Sequence, residues 1–368
     1  MSDDYGLAAQ TALADIPAPV LDYRPPRPRD WRGGIGLIGC GGIAGHHLAA
    51  YQRAGFPVVA LCGREAAKPQ ALAAKYFPAA AIFTDHRELL RRPDIAVVDI
   101  TTHARERVVL IEDALAAGKH VLSQKPFVLD LDTGERLVAL AAARGLQLAV
   151  NQNGRWAPHF RWLLQAVRTG LIGPVGSLGI AMNWDHSWIA GTPFEDVRHL
   201  ILGDFGIHWF DLTAALLASR PARRVFASAT RAPGQSVRPP MVAQAAVEFD
   251  DAQASLTFHG LSSFGQSDRT VVVGARGTLI SAGPSLSEQQ VTLYTADGIA
   301  RPLLEGTWFT SGFEGAMAEL LCAIEDRREP ENSARANLAS LALCFAAMAS
   351  AESGQPVAPS EARRWPGQ

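Results

Sequence analysis

Ile35-Gly36-Leu37-Ile38-Gly39-Cys40-Gly41-Gly42-Ile43-Ala44 carries the first structural information in the chain. A short apolar run ends in Gly39-x-Gly41-x-x-Ala44, and a helical pattern follows with Ile43, His47, Ala50 and Tyr51 spaced to share a face. This is a strand, a turn and a helix suited to a dinucleotide pyrophosphate. Gly39 permits the tight turn, Gly41 lets the backbone approach the phosphates, and small Ala44 lets the helix lie close to the strand. The free N–H groups and positive dipole end of that helix supply an anion site. Cofactor contacts are therefore expected from Gly39, Cys40, Gly41, Gly42, Ile43 and Ala44.

Working outward, short apolar strands alternate with helices as far as Asn151. Strands are predicted at 58–61, 81–83, 95–100, 120–122 and 146–150. The run Ile95 to Ile100 is nearly continuous apolar, as befits a strand buried on both faces. Helices are predicted from Pro69 to about 77, from an Asp85 N-cap through Leu90, and over 105–117 and 133–144. Six strands with intervening helices predict a doubly wound Rossmann sheet, whose ligands bind beyond the carboxyl ends of the strands. After the second strand come Gly63 and Arg64, where a site for NAD usually has an acid for the ribose 2′-hydroxyl. Gly followed by Arg suits a 2′-phosphate, so NAD(P) is expected with a leaning to NADP; the alternative is that Arg64 is a solvated loop cation. After the fourth strand Thr101 and Thr102 offer hydroxyls to a ribose. After the fifth come Gln124, Lys125 and Pro126, and the proline fixes the backbone so as to aim Lys125 into the cleft.

Beyond Asn153 the pattern changes. A helix is predicted over 158–168, then a strand from Val175 towards Trp184. Strands follow at 224–230, 243–249, 254–259, 270–273, 279–281 and 291–294 without intervening helices, which predicts an open, mainly antiparallel sheet. Helices over 312–326 and 334–353 return to cover the junction. The expected organisation is an extension (1–33), a dinucleotide-binding domain (34–152) and an α+β substrate-binding and oligomerisation domain (153–368). The Pro- and Arg-rich extension is either a disordered tail or an arm laid over another surface. The string Asn183-Trp184-Asp185-His186-Ser187-Trp188 suits a polyhydroxylated ring, unless its tryptophans are core or interface. Arg155, Trp156, His186 and Arg198 are the candidate pocket-lining residues. An uncovered sheet face predicts a homodimer or homotetramer.

A chain of 368 residues, 48% hydrophobic and 19% charged, accommodates two domains with developed cores. A net charge of −2 gives no electrostatic case for nucleic acid or an anionic membrane as partner. No stretch is read as long enough to span a bilayer; 338–349, broken by Ser340, reads as a buried helix. The acidic start lacks signal-peptide character and the four cysteines are scattered, so a reduced, cytoplasmic protein is expected.

Four ordered motifs resemble the glucose–fructose oxidoreductase/inositol dehydrogenase (Gfo/Idh/MocA) family, over about residues 34–357. They are the fingerprint at 39–44, the segment Ala117-Gly118-Lys119-His120-Val121-Leu122-Ser123-Gln124-Lys125-Pro126, the string Arg155-Trp156-Ala157-Pro158, and Gly203-Asp204-Phe205-Gly206-Ile207-His208-Trp209-Phe210-Asp211. Three departures stand out. Gln124 replaces the Glu of Glu-Lys-Pro, keeping a hydrogen bond to ribose; Thr102-His103 with Arg107 replaces Thr-Pro…His; and Gly63 replaces the acid after the second strand. The resemblance implies an NAD(P)-dependent oxidoreductase acting on a secondary alcohol or ketone of a sugar, cyclitol or polyol. It implies His208 as acid/base, Lys125 as stabiliser of the alkoxide, and Asp204 as their partner. The four-residue spacing predicts Asp204 and His208 on one helix face. Asp204, His208 and Asp211 also form a metal-like series, but the chemistry needs no metal and none is expected. Two alternatives remain: a glycosidase acting by transient oxidation through bound NAD, and a non-catalytic nucleotide sensor.

Overall fold

The computed structural model describes residues 13–217 and 220–367. Six parallel strands, β1 (Gly34–Ile38), β2 (Val58–Cys62), β3 (Ala81–Phe83), β4 (Ile95–Ile100), β5 (His120–Gln124) and β6 (Leu148–Asn151), form one sheet in the order β3-β2-β1-β4-β5-β6. The helices α1 (Ala44–Ala54), α2 (Ala67–Tyr76), α3 (His86–Leu90), α4 (Ala104–Ala116) and α5 (Leu131–Ala143) connect them. Asp85 caps α3 by accepting from Arg87 N at 2.9 Å. The strand order reverses between β1 and β4, which opens the ligand crevice at their carboxyl ends.

The second sheet has eight strands. They are β7 (Val175–Asn183), β8 (Ala222–Thr230), β9 (Val242–Phe249), β10 (Gln253–His259), β11 (Ser267–Gly274), β12 (Gly277–Ser285), β13 (Glu288–Thr295) and β14 (Gly298–Ala300). Their order is β14-β13-β12-β11-β7-β10-β9-β8, and only β7–β10 is a parallel pair. The architecture is thus Rossmann α/β followed by a mainly antiparallel α+β sheet. Inward residues such as Leu178, Ile180, Met182, Leu256 and Phe258 are buried in one core with helices α6 (Pro158–Arg168), α7 (Ile207–Leu216) and α9 (Ala334–Ser353), while α8 (Thr310–Asp326) packs on α1 and β6 of the first half.

α9 has the bounds expected for it, 334–353, but by length and composition it differs from the expectation that no stretch could span a bilayer. Among the described residues it is the one helix long and apolar enough to cross a membrane. Here Leu341, Cys344, Phe345, Ala346, Ala347 and Met348 are buried in the core. The four cysteines are free thiols.

Residues 13–33 of the extension lie across the molecule as an arm. Ile16 N donates to Ile299 O at 2.9 Å, and Ile16, Leu21 and Tyr23 pack on the core. Arg27 then pairs with buried Glu314 at 2.9 Å, and Arg29 pairs with Asp326 at 2.7 Å. Residues 1–12 of that extension lie outside the described residues.

Candidate active site

The glycine turn has the geometry its sequence demands. Gly39 adopts φ +104°, in the left-handed region, and a Cβ there would lie 2.9 Å from Thr102 N. A Cβ at Gly41 or Gly42 would meet nothing within 4 Å, so the helix N-terminus opens onto empty space. α1 has no side-chain cap, which leaves its first N–H groups to an anion. This cradle fits the pyrophosphate of a dinucleotide. Cys40 turns inward, its thiol against Cys62 O at 3.5 Å and pushed up to about 12 by burial.

Around the turn, two of the expected ribose ligands are engaged elsewhere. The Thr101 hydroxyl donates to Gly39 O and braces the turn from below. Thr102 Oγ1 is buried without a protein partner and remains available. Gln124 also departs from expectation, because both ends of its amide serve the protein. Its Oε1 accepts from Lys125 N at 2.6 Å, and its Nε2 donates to His47 Nε2 at 3.0 Å. Asn151 Nδ2 reaches the same ring nitrogen at 3.2 Å, so the His47 proton sits on Nδ1. That nitrogen and Tyr51 Oη each donate to Asp99 Oδ2 at 2.7 Å. One oxygen of the polar break in the apolar β4 run is thereby satisfied while Asp99 Oδ1 stays buried without a partner, and α1, β4, β5 and β6 are joined under the site.

At Gly63 an added Cβ would lie 3.1 Å from Pro69 Cδ, so a side chain there would press on the first turn of α2. Arg64 projects into solvent, 92% exposed and 3.8 Å from Glu106.

At the end of β5, Lys125 Nζ lies 3.2 Å from Asp204 Oδ1 and donates to Asp204 O at 2.9 Å. Beneath it, the Arg107 guanidinium donates to the carbonyls of Thr102, Gln124, Lys125 and Pro126. Burial drives Arg107 down to about 9, opposed by the charge of Asp204. Arg107 was visible in the sequence only as a departure from the family pattern; four carbonyls converging on one guanidinium require the folded β5 corner.

Asp204 and His208 do not share an α-helical face. Residues Leu200–Phe205 form a π-helical turn, and α7 begins only at Ile207. The wider π turn carries Asp204 towards Lys125, while His208 lies in the first turn of α7. The His208 ring stands edge-on to Trp308, with centroids 5.2 Å apart, and its Nδ1 is buried without a partner. Burial, helped by the nearby Lys125 ammonium, holds His208 well below the ordinary imidazole range. Trp308 stacks on Trp209 at 6.2 Å. No sequence motif marks Trp308, which precedes α8 in a loop.

Asp211, the third member of the metal-like series, faces away from Asp204 and His208. It takes Arg155 Nε and Nη2 at 2.6 and 2.7 Å, and accepts from Ser340 Oγ at 2.7 Å. Arg155 is therefore a buried structural cation and no pocket ligand: all three of its nitrogens are engaged, Nη1 donating to Glu331 O at 2.7 Å. Trp156 is fully buried, its indole pressed against Gly315, where an added Cβ would come within 2.2 Å. Arg198 points to the surface and pairs with Glu352 at 3.1 Å. Of the four candidate pocket residues, only His186 is brought near the pair. Its ring packs on Phe205 at 4.2 Å and on Trp184 at 5.5 Å, and neither ring nitrogen has a partner. Trp188 joins the same aromatic wall at 6.2 Å from His186.

Residues 34–152 match the model of the oxidoreductase family with an NAD-binding Rossmann fold, and 160–280 match that of the GFO/IDH/MocA C-terminal domain. A D-apiose dehydrogenase from Paraburkholderia graminis is 28% identical, the match covering 87% of this chain and 88% of the relative. An inositol 2-dehydrogenase from Rhizobium meliloti is 27% identical over 86% and 96%, respectively. An Agrobacterium radiobacter oxidoreductase, solved with NAD+, L-tartaric acid and magnesium, superposes with a TM-score of 0.78 at 21% identity, covering 90% of this chain and 99% of that one. With both halves matched in order around one glycine turn and one Lys-Pro corner, the chain belongs to the Gfo/Idh/MocA family of oxidoreductases.

Proposed function

We propose that this oxidoreductase moves a hydride between NAD(P) and a secondary alcohol or ketone of a sugar, cyclitol or related polyol. The observation that carries the reading is the Lys125–Asp204 pair, next to His208 and at the carboxyl edge of the sheet that holds the glycine turn. The nicotinamide, when bound, supplies the hydride acceptor or donor. Lys125 Nζ holds the substrate oxygen and stabilises the alkoxide, in a half-buried site where that charge is worth more than in water. His208, kept neutral by burial, accepts the hydroxyl proton in oxidation and returns it in reduction. Asp204 orients the ammonium. His186, with both ring nitrogens free, and the Trp184 and Trp188 faces receive hydroxyls and C–H faces of the ring. The names of the relatives, D-apiose and inositol dehydrogenases, support a neutral polyol.

Residues 34–152 hold the cofactor, and 153–368 serve substrate and assembly. NADPH is the preferred cofactor, because solvent-exposed Arg64, held only by a 3.8 Å surface contact with Glu106, can turn to a 2′-phosphate, and Gly63 stands where an acid would bind the ribose 2′-hydroxyl. A cytoplasmic homodimer or homotetramer forms through the open face of the second sheet, where Phe226 and Val273 are exposed; a monomer at micromolar concentration in light scattering would refute this.

The test is a screen of polyols and ketoses with NAD(P)+ and NAD(P)H on the wild type, Lys125→Met and His208→Ala. Each variant should lose at least ~100-fold in kcat while cofactor affinity stays within about threefold. Unchanged turnover in either removes that residue from the mechanism. NADPH preference should vanish in Arg64→Ala; equal preference before and after would make Arg64 a loop cation only.

A further inference from the structure

The C-terminal segment reaches both partners of the reacting pair. Residues 363–365 run beside 129–131, with Leu131 N donating to Arg363 O at 2.8 Å and Trp365 N to Leu129 O at 2.9 Å. Phe127 and Val128, between Leu129 and Lys125, are fully buried, so this contact holds the corner that carries Lys125. The Trp365 indole then crosses to the other partner. A Cβ added to Gly203 would lie 2.3 Å from Trp365 Cη2 and 2.9 Å from Met348 Sδ, so the ring rests on the backbone just before Asp204. Phe345 supports the indole edge-to-face at 6.1 Å. Lys125 Nζ is bonded to the Asp204 backbone carbonyl as well as to its carboxylate. The height of the π turn, and not only the Asp204 rotamer, therefore sets where the ammonium sits.

We infer that Trp365 is a positioning residue: one indole ties the Lys125 corner to the π turn of Asp204 and fixes the separation of the pair. The inference rests on Lys125 and Asp204 being the reacting pair, and its test includes a readout that needs no turnover.

That readout is the rate at which pyridoxal 5′-phosphate and borohydride label Lys125 in the intact protein, followed by peptide mass spectrometry. Trp365→Ala should label Lys125 several-fold faster, and Trp365→Phe at nearly the wild-type rate. On the best polyol of the screen, kcat should fall roughly 10- to 100-fold in Trp365→Ala, with cofactor Kd unchanged and recovery in Trp365→Phe. Arg363→Ala, which removes only surface pairs with Asp132 and Glu135, should leave both readouts unchanged. Gly203→Ala places a methyl where the indole sits and should mimic Trp365→Ala, and Gly203→Ala/Trp365→Leu should restore labelling towards wild type. Wild-type labelling and kcat in folded Trp365→Ala would overturn the inference. If Trp365→Ala fails to fold, the Gly203 series decides: no recovery in the double variant overturns it. Faster labelling in a protein inactive on every polyol would uphold the positioning role and refute the proposed function.

Discussion

Replacing Asp211 by Ala should destabilise the protein severely and leave its chemistry nearly intact. The carboxylate meets Arg155 through two bonds of 2.6 and 2.7 Å, with side chains 7% and 2% exposed, and accepts a third from Ser340 Oγ. Its loss leaves a buried guanidinium uncompensated, which costs about 3–5 kcal/mol, and strands a serine hydroxyl for about 1 kcal/mol more. At roughly 2–4 °C per kcal/mol for a large domain, the melting midpoint should fall by roughly 10 °C or more. The apolar pair Arg155→Met/Asp211→Leu should regain most of the loss, because no unpaired charge remains. The assay is thermal and urea unfolding of the wild type, Asp211→Ala and the double variant, with KM measured at a temperature where all are folded. A loss under ~1 kcal/mol in Asp211→Ala would refute the buried-pair account. A stable double variant with a KM raised about tenfold or more, a difference worth ~1.4 kcal/mol, would return Arg155 to the substrate pocket.

Two further predictions concern pH. Asp268 has both carboxylate oxygens buried without partners, and burial raises it to about 7. The unfolded carboxyl ionises near 4 and the folded one only near 7, so stability falls as pH rises through that window and is level above it. Asp268→Asn should remove the fall, raising stability by roughly 1–4 kcal/mol at pH 7.5 and by nothing near pH 4. An unchanged slope between those pH values would refute it. His159 is buried and lowered to about 3 by that burial. The unfolded imidazole takes a proton below about 6.5, so stability is lost as pH falls from there towards 3. His159→Phe should flatten that acid limb in pH-dependent melting, and a variant as acid-sensitive as the wild type would exclude His159 as its source.

Much of the framework was legible because its causes are local. Gly39 needs a positive φ, Asp85 caps the helix that follows it, Pro158 opens α6, and Ile95–Ile100 is apolar because both faces of β4 are covered. Each is a statement about sterics or burial within a handful of neighbouring residues. The Lys125 corner was legible for the same reason, as a proline directly after a strand end. The split of Asp204 and His208 between a π turn and α7 was not. An α-helical spacing is the local expectation, and the wider turn is packed against Trp365, far along the chain.

The remaining differences are matters of partnership. Arg155 and Trp156 looked like pocket residues because a charge and an indole near a motif carry no mark of what they will face. Asp211, Ser340 and Gly315 answer that question from other helices. Gln124 reads as a ribose ligand until His47, on α1, is seen to hold its amide. Trp308 has no motif and gains its place only by stacking on Trp209 beside His208. The residues alone were enough for the glycine turn, the strand alternation and the Lys-Pro corner, since periodicity and backbone sterics act over short spans. Which side chains face the cleft was settled by contacts between residues distant in the chain, because buried charge and hydrogen-bonding groups must find partners wherever the fold places them.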